Sequence, residues 1–376
     1  MFNYYKGGKA ISEALQDNPI DYLRMVSGIG ADAEHLQKYY FDADYWFKPF
    51  NYGLFNDNRT MIRYNAVLNL FSMGHFSINL IITVFLSFFG LCYLSRAFAE
   101  MLPKYKAVFT VGVMIIPSVL FWTSGLLKES LVIIALGFLL FHWINFTNSK
   151  KLKSLLYALP FAALLILAKF YVFVALIPAL IFILFPKKLS YIKQLVVMSL
   201  ILLISTVLLL NSKHILGLDF TEIMANKQSD FVNYVNIQEN VGSNIDLNKL
   251  EPNFLSIAKN LPQAYYNSFL RPHIFEAKSI TSLFAAIENT LILILIIALI
   301  VRFKKPDIEK FRFILFSLSF VFILFALVGL TTPNLGALVR YKMPALPALV
   351  FSIIVCINPK FFQKISFKRK MKEEIM

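Results

Sequence analysis

Charged side chains are scarce in this sequence. Asp, Glu, Lys and Arg make up 16% of the 376 residues, whereas hydrophobic residues make up 58%. A soluble globular protein has about 25% charged and about 45–50% apolar residues. Apolar stretches of about 15 to 20 residues recur along most of the chain, and a soluble core does not need them. The composition therefore excludes an ordinary soluble protein and predicts a polytopic membrane protein.

Cysteine and histidine are also rare, with two and five residues. Cys92 and Cys356 both fall inside apolar stretches, where a cysteine behaves as a small buried side chain. The histidines do not have the spacing that is typical of metal ligands. We therefore expect no disulfide, no metal site and no resident cofactor.

Hydropathy predicts an all-α bundle of nine transmembrane spans. We place the spans at 77–98, 107–122, 131–146, 154–168, 170–185, 194–210, 284–301, 313–330 and 343–357. Several of them have only about 15 residues, which is short for a hydrocarbon core of about 30 Å. We expect flanking residues to extend these spans, or prolines to bend them, as at Pro117, Pro160 and Pro178.

The net charge of +15 is divided unevenly between the two sets of alternating loops. One set contains 20 of the 37 basic residues but five of the 22 acidic residues, so the whole excess lies on one side. Its basic residues are Arg96, Lys104, Lys106, Lys150, Lys151, Lys153, Lys187, Lys188, Lys193, Arg302, Lys304, Lys305, Lys310, Arg312, Lys360, Lys364, Lys368, Arg369, Lys370 and Lys372. Short cationic loops mark the cytoplasmic side. The positive charge therefore indicates orientation and contact with anionic lipid, and not nucleic-acid binding.

This orientation divides the chain into five parts. They are an extracytoplasmic head (1–76), a first bundle of six spans (77–210), an extracytoplasmic loop (211–283), a second bundle of three spans (284–357) and a basic cytoplasmic tail (358–376). We expect a bacterial cytoplasmic membrane protein with its C-terminus in the cytoplasm. No apolar segment precedes the head to carry it across the membrane. We therefore expect one further span upstream of Met1, and ten spans in a full-length protein.

Both extracytoplasmic segments contain amphipathic stretches. In the second segment, five apolar residues share one helical face, namely Phe254, Ala258, Leu261, Tyr265 and Phe269. Such a helix is expected to lie along the membrane surface.

The chemically informative residues gather at the outer ends of the predicted spans. The connection at 123–130 carries Lys128 and Glu129, and Lys169 stands alone between two apolar stretches. A cation in these positions can bind a lipid phosphate. The structural alternatives are a local Lys128–Glu129 pair, and a lysine that only extends its ammonium group to the membrane surface.

Three carboxylates are candidates for catalysis. Asp42 and Asp44 lie among aromatic residues of the head, where they are either catalytic groups or solvated acids of a packed loop. Glu288 lies at the start of span seven. A helix N-terminus favours a carboxylate, so the alternative to a catalytic role is that Glu288 caps this helix. Nearby, Arg271 is either a substrate-binding cation or the partner of Glu276.

Arg340, Tyr341 and Lys342 lie at the outer mouth of the last span. Two cations that flank a tyrosine form a natural clamp for an anionic headgroup. The alternative is an interfacial anchor in front of Pro344, which would start the helix.

Two elements of the sequence resemble known membrane proteins. The element from Arg340 to Pro344, after Asn334 and Gly336, is similar to the arginine/tyrosine-proline element before the last spans of GT-C-type glycosyltransferases. The element from Phe121 to Glu129 is similar to one in uncharacterised bacterial membrane proteins of polysaccharide loci.

The resemblance implies a membrane glycosyltransferase that acts on the extracytoplasmic face. It would move a sugar from a polyprenyl-phosphate donor to a cell-envelope glycan or lipid acceptor. Arg340 and Lys342, with Lys128 or Lys169, would neutralise the leaving phosphate, and a carboxylate would accept the proton of the acceptor. Beyond the donor itself no cofactor is implied, although some enzymes of this type use a divalent metal.

The resemblance also implies a catalytic aspartate in the first outer loop, upstream of the position that Asn3 occupies here. A chain that lacks this aspartate would be inactive unless Asp42 or Asp44 replaces it. Two other classes remain open. One is a lipid-linked polysaccharide polymerase or ligase, with Arg271 and Arg340 as its essential cations. The other is a non-catalytic polysaccharide transporter or flippase, which needs a polar passage through the membrane midplane.

Overall fold

The computed structural model describes residues 1–47, 56–103, 106–237 and 243–358, and the predicted basic tail from residue 359 onward lies outside these ranges. Within them the secondary structure is helical, with short 3-10 and π turns and two isolated β-bridges but no strand. The prediction of an all-α chain with several apolar membrane helices is confirmed.

The described residues form seventeen α-helices. Their bounds are α1 Phe2–Asp17, α2 Pro19–Ser27, α3 Gln37–Tyr40, α4 Asp57–Ser72, α5 Phe76–Ala99, α6 Lys106–Met114, α7 Pro117–Thr123, α8 Lys128–Ser149, α9 Leu152–Phe182, α10 Tyr191–Leu210, α11 Ser212–Leu216, α12 Phe220–Ile237, α13 Phe254–Tyr265, α14 Ile280–Val301, α15 Ile308–Thr331, α16 Leu335–Lys342 and α17 Leu346–Cys356.

Seven helical segments of the described chain are long and apolar enough to cross a membrane. They are α5, α8, α9, α10, α14, α15 and the continuous stretch Leu335–Cys356. The pair α6 and α7 makes an eighth if it counts as one span, although the pair bends by 58°. The predicted span 154–168 and all but the last three residues of the predicted span 170–185 fall in the 31-residue helix α9, which Lys169 interrupts with a non-helical backbone conformation. The structure and the prediction of nine spans therefore differ at the bent pair α6 and α7 and at the interrupted helix α9.

The first of two compact units contains residues 1–97, 113–115 and 119–174. The head helices surround Trp46, which is fully buried and stacks on Tyr40 with ring centroids 4.1 Å apart. The guanidinium of Arg59 also contacts Trp46 and lies 4.7 Å from the centroid of its ring. The head thus has its own aromatic core.

Buried amides connect the head to the first membrane helix. Asn79 of α5 donates to Asn69 of α4 at 2.8 Å, and Asn69 donates to Ser12 of α1 at 3.0 Å. Tyr64 and Thr83 add a hydroxyl pair at 3.1 Å. Because buried polar groups need partners, this network specifies how α1 and α4 dock on α5.

The second unit contains residues 98–112, 116–118 and the chain from 175 onward. Helix α15 lies at its centre and packs against α10, α12, α13, α16 and α17. At the start of α15, Arg312 is buried and donates to the carbonyl oxygens of Ile183 and Phe185, just beyond the end of α9. These carbonyls have no partner within a helix, so the arginine satisfies them.

Helix α13 packs on its neighbours through a face of small and polar residues, whereas the apolar stripe is the face that the sequence assigns to the membrane surface. Its buried residues are Ser256, Asn260 and Ala264, whereas Phe254 is exposed. Ala264 meets Gly329 of α15 so closely that a Cβ on the glycine would lie 2.2 Å from the Ala264 carbonyl oxygen. Small residues let two helix backbones approach, so the tight contact selects the small face of α13 rather than the bulky one.

Candidate functional site

Asp57 in the first unit is in contact with two lysines. Its Oδ2 atom lies 2.8 Å from Nζ of Lys128 and 3.4 Å from Nζ of Lys169. All three side chains are largely shielded, with 18%, 8% and 9% of their surface exposed. We refer to Asp57, Lys128 and Lys169 as the Asp57 cluster.

Local structure explains the position of each member. Asn56 caps α4 by accepting a hydrogen bond from the Asn58 backbone N–H at 3.1 Å, which places Asp57 in the first turn. Lys128 is the first residue of α8, and Lys169 is the residue that interrupts α9. The middle of α9 is held near the head because Thr60 donates to the Leu167 carbonyl oxygen at 2.8 Å.

Neighbouring aromatic and amide groups surround Lys128. Its ammonium group donates to Oδ1 of Asn58 at 2.5 Å and lies 5.5 Å from the centroid of the Tyr4 ring. Tyr4 in turn packs edge-on against Tyr45 at 5.4 Å. The aromatic segment of the head that carries Asp44 is therefore linked to Lys128 through two tyrosines.

The Asp57 cluster has one more positive than negative charge. Two ammonium groups in contact with one carboxylate stabilise its negative charge. Its role is to hold the two lysines together. Two neighbouring ammonium groups can neutralise an anion such as a phosphate oxygen.

The structure thus brings together two of the residues that the sequence singled out, Lys128 and Lys169. Asp57 was missed, because in the sequence it is simply an acid in the first turn of an amphipathic helix. The one local feature of the sequence that points to Asp57 is the helix start at Asn56 and Asp57. Of the other candidates in this unit, Glu129 is buried in the first turn of α8, whereas Asp42 and Asp44 are exposed.

Lys342 in the second unit is buried and has three hydrogen-bond acceptors. Its Nζ atom donates to the carbonyl oxygens of Ser268 and Arg271 at 2.9 Å each and to Oδ1 of Asn289 at 3.1 Å. An ammonium group has three N–H bonds, so these acceptors account for all of them. In this arrangement Lys342 stabilises the backbone at Ser268 and Arg271.

Glu288 caps a helix other than its own. It lies eight residues after Ile280, the first residue of α14, and therefore beyond the first turn in which the sequence placed it. Its carboxylate accepts from the backbone N–H of Ser118 at 2.6 Å and from the Ser118 hydroxyl at 2.8 Å. The N–H groups of a first helical turn lack partners within the helix, so the carboxylate satisfies the start of α7.

Arg271 is paired with Glu276, as one reading of the sequence predicted. Both Nε and Nη2 donate to Oε1 of Glu276, the first at 2.7 Å. Nη1 donates to Oδ1 of Asn267 at 3.4 Å. Residual exposure of the two charged side chains is small, at 21% and 15%.

Arg340 and Tyr341 lie on α16, whose start is capped by Asn334 through a 3.0 Å hydrogen bond from Ala337 N–H. Both are partly exposed, and the ring of Tyr341 lies 6.4 Å from that of Phe231 on α12. The three side chains of the predicted clamp therefore do not lie together. Lys342 is directed inward, whereas Arg340 and Tyr341 remain partly exposed.

Across the part of the chain that the structure describes, no group of three or more His, Cys, Asp or Glu side chains is placed to hold a metal ion. No protein-family model matches the sequence, and neither the curated proteins nor the solved structures contain a match to the chain.

Proposed function

We propose that this protein is a membrane glycosyltransferase that moves a sugar from a polyprenyl-phosphate donor to a cell-envelope glycan or lipid acceptor on the extracytoplasmic face. The observation that carries the proposal is the Asp57 cluster, in which one carboxylate holds two shielded lysines at the ends of apolar helical segments. Shielded ammonium groups interact with an anion more strongly than exposed ones do.

Contacts within the first unit support the proposed topology. The charge pattern assigns the head, the connection at 123–130 and the neighbourhood of Lys169 to the same, extracytoplasmic side. Asp57 of the head contacts both Lys128 and Lys169. A straight helix of 31 residues is about 46 Å long, so its middle would lie near the bilayer centre. We therefore infer that α9 contributes two short spans that meet at Lys169. With α6 and α7 as one span, the described residues then contain nine spans.

Contacts within the second unit agree with the same assignment. Residues 244 and 334, both assigned outside, form a β-bridge, and Gln228 donates to the Leu330 carbonyl oxygen at 2.8 Å. On the side assigned to the cytoplasm, Phe303 and Ile357 form the other bridge.

In the proposed reaction, an acceptor hydroxyl oxygen attacks the anomeric carbon of the donor sugar. The bond from that carbon to the phosphate oxygen breaks, and the phosphate leaves with the electron pair. Lys128 and Lys169 neutralise the leaving phosphate. The hydroxyl proton passes to a carboxylate, and we assign this role to the exposed Asp44 rather than to Asp57, whose Oδ2 atom is in contact with two lysines.

Transfer of a radiolabelled sugar in native membranes tests the proposal. The membranes supply the acceptor, and a polyprenyl-phosphate sugar is added as donor. We expect Lys128→Gln and Lys169→Gln each to reduce transfer at least tenfold, while the detergent elution profile stays that of the wild type. Lys9→Gln is the matched control, because Lys9 is an exposed lysine of the same unit. Undiminished transfer by a Lys128→Gln/Lys169→Gln protein would contradict the assignment.

A polysaccharide transporter or flippase is the second candidate. It is favoured by the buried polar groups Glu288, Asn289 and Lys342, which lie within apolar helical segments of the second unit. Ionisable residues inside membrane segments commonly mark a substrate path. The membranes of the transfer experiment distinguish the two, since a transporter moves labelled lipid-linked glycan across the bilayer without forming a new glycosidic bond.

A further inference from the structure

Residues 264–269, at the end of α13 and just after it, run alongside α15, a helix that is long and apolar enough to cross a membrane. Ala264 contacts Gly329 of α15, and Ser268 donates to the Phe325 carbonyl oxygen at 2.7 Å. Further along the segment, the ring of Phe269 lies 5.5 Å from that of Phe322. From Ala264 to Ser268 the contact on α15 moves from Gly329 back to Phe325, so these residues run antiparallel to this helix.

These contacts give the depth of the segment. Phe325 and Phe322 lie six and nine residues before Thr331, the last residue of α15. At 1.5 Å per residue this is about 9 Å and about 14 Å below the end of the helix. Asn289 of α14 donates to the Leu270 carbonyl oxygen at 2.7 Å, and it lies nine residues, about 14 Å, inside its own helix.

The backbone at the deepest point leaves the α-helical pattern. Residues 266–270 form a π turn, and Arg271 is extended. Non-helical backbone within a membrane is tolerated only where protein groups satisfy its polar atoms. Lys342 and Asn289 do this, because their side chains donate to the carbonyl oxygens of Ser268, Leu270 and Arg271.

The charged side chains at this depth also have partners. Arg271 would be costly inside a membrane without a counter-ion. Glu276, five residues later, supplies one through the 2.7 Å hydrogen bond from Arg271 Nε.

After the turn, the chain returns to the start of α14 with apolar side chains exposed. Phe275 is 87% exposed, and Ile274 and Ile280 are 54% and 76% exposed. This surface continues into exposed Phe284 and Ile287 of α14, a helix that is long and apolar enough to span the membrane. Continuity with such a surface identifies the occupant as bilayer hydrocarbon.

We propose that residues 254–279 enter the membrane as a re-entrant hairpin from the side on which α15 ends, and that Ile274, Phe275 and Ile280 contact lipid chains. Lys342 and Asn289 are positioning residues that satisfy the carbonyl groups at the hairpin tip. The proposal is independent of any transferase activity.

Site-directed spin labelling in lipid nanodiscs tests the hairpin. A label is attached to Phe275→Cys after Cys92→Ala and Cys356→Ala, and its collision rates with oxygen and with a water-soluble nickel chelate are measured. A label on Lys249→Cys is the control, because Lys249 is exposed and precedes the hairpin. We expect the oxygen-to-nickel ratio at 275 to be several-fold higher than at 249. Equal ratios, or shielding of the label at 275 from oxygen, would overturn the proposal.

The role of Lys342 is tested in the same labelled protein. We expect Lys342→Met to raise nickel access at 275, since unsatisfied carbonyl groups draw the hairpin tip toward water. Lys310→Met is the matched control, because Lys310 lies near the start of α15, whereas the hairpin enters from the side on which α15 ends. Unchanged nickel access in a folded Lys342→Met protein would remove the positioning role. If that variant does not fold, Asn289→Leu is expected to give the same increase, and its absence would likewise remove the role.

Discussion

Gly90 of α5 and Gly137 of α8 meet backbone to backbone in the first unit. A Cβ atom on Gly137 would lie 2.0 Å from the carbonyl oxygen of Gly90. Close contacts between small residues are the main source of helix association in membranes, since lipid chains are as apolar as leucine side chains. This pair therefore permits the two helices to pack as closely as they do.

We predict that Gly137→Ala destabilises the protein. The added methyl group meets backbone rather than a flexible side chain, so the helices must separate, at a cost of about 1–3 kcal/mol. Thermal unfolding in detergent should show a lower midpoint. Gly112→Ala is the control, because a Cβ there would meet nothing within 4 Å. Equal midpoints for the two variants would refute the close approach.

Removal of Asp57 should also reduce stability. Asp57→Ala leaves Lys128 and Lys169 shielded without their carboxylate, and we expect a loss of about 3 kcal/mol, typical of breaking a largely buried ion pair. Asp32→Ala removes the partner of Arg59, but Asp32 is 70% exposed, so that change should cost less than about 1 kcal/mol. Chemical unfolding of both variants measures the difference. A smaller effect at Asp57 than at Asp32 would be inconsistent with the cluster.

The assignment of Arg340 to the donor phosphate can be tested by a conservative change. A guanidinium binds two phosphate oxygens at once, whereas lysine offers a point charge. If Arg340 binds the phosphate, Arg340→Lys should largely abolish sugar transfer while expression stays normal. Arg302→Lys, at the other face in the proposed topology, should have no effect. Wild-type transfer by the Arg340→Lys protein would assign it an anchoring role instead.

The charge pattern predicts the membrane orientation, which cysteine labelling measures directly. In a protein with Cys92 and Cys356 replaced by alanine, single cysteines at the exposed positions Lys249 and Lys305 report the two sides. An impermeant thiol reagent added to intact cells should label position 249 and leave position 305 unmodified until the cells are lysed. The opposite pattern would invert the topology and with it the proposed face of reaction.

Most of the membrane helices could be predicted because their signal is local. The 22 residues from Ile280 to Val301 and the 24 residues from Ile308 to Thr331 are predominantly apolar. Such a run needs no distant partner to be recognised as a helix in lipid, since the helix satisfies its own backbone. The irregular helices were harder, because the interruption at Lys169 looks the same in a sequence whether it ends a span or bends one.

The candidate site could be predicted only in part. The sequence by itself determined that Lys169 is an isolated cation between apolar runs and that Lys128, beside Glu129, lies next to one, because polarity is written residue by residue. Only the tertiary structure decided that Asp57 joins them, that Lys342 is directed inward to backbone carbonyls, and that Glu288 caps α7 rather than α14. The physical reason is that a charge in a shielded environment must find its counter-charge or hydrogen-bond partner in space. Those partners lie on other helices, far away in the chain, and no local pattern records which of them will be close.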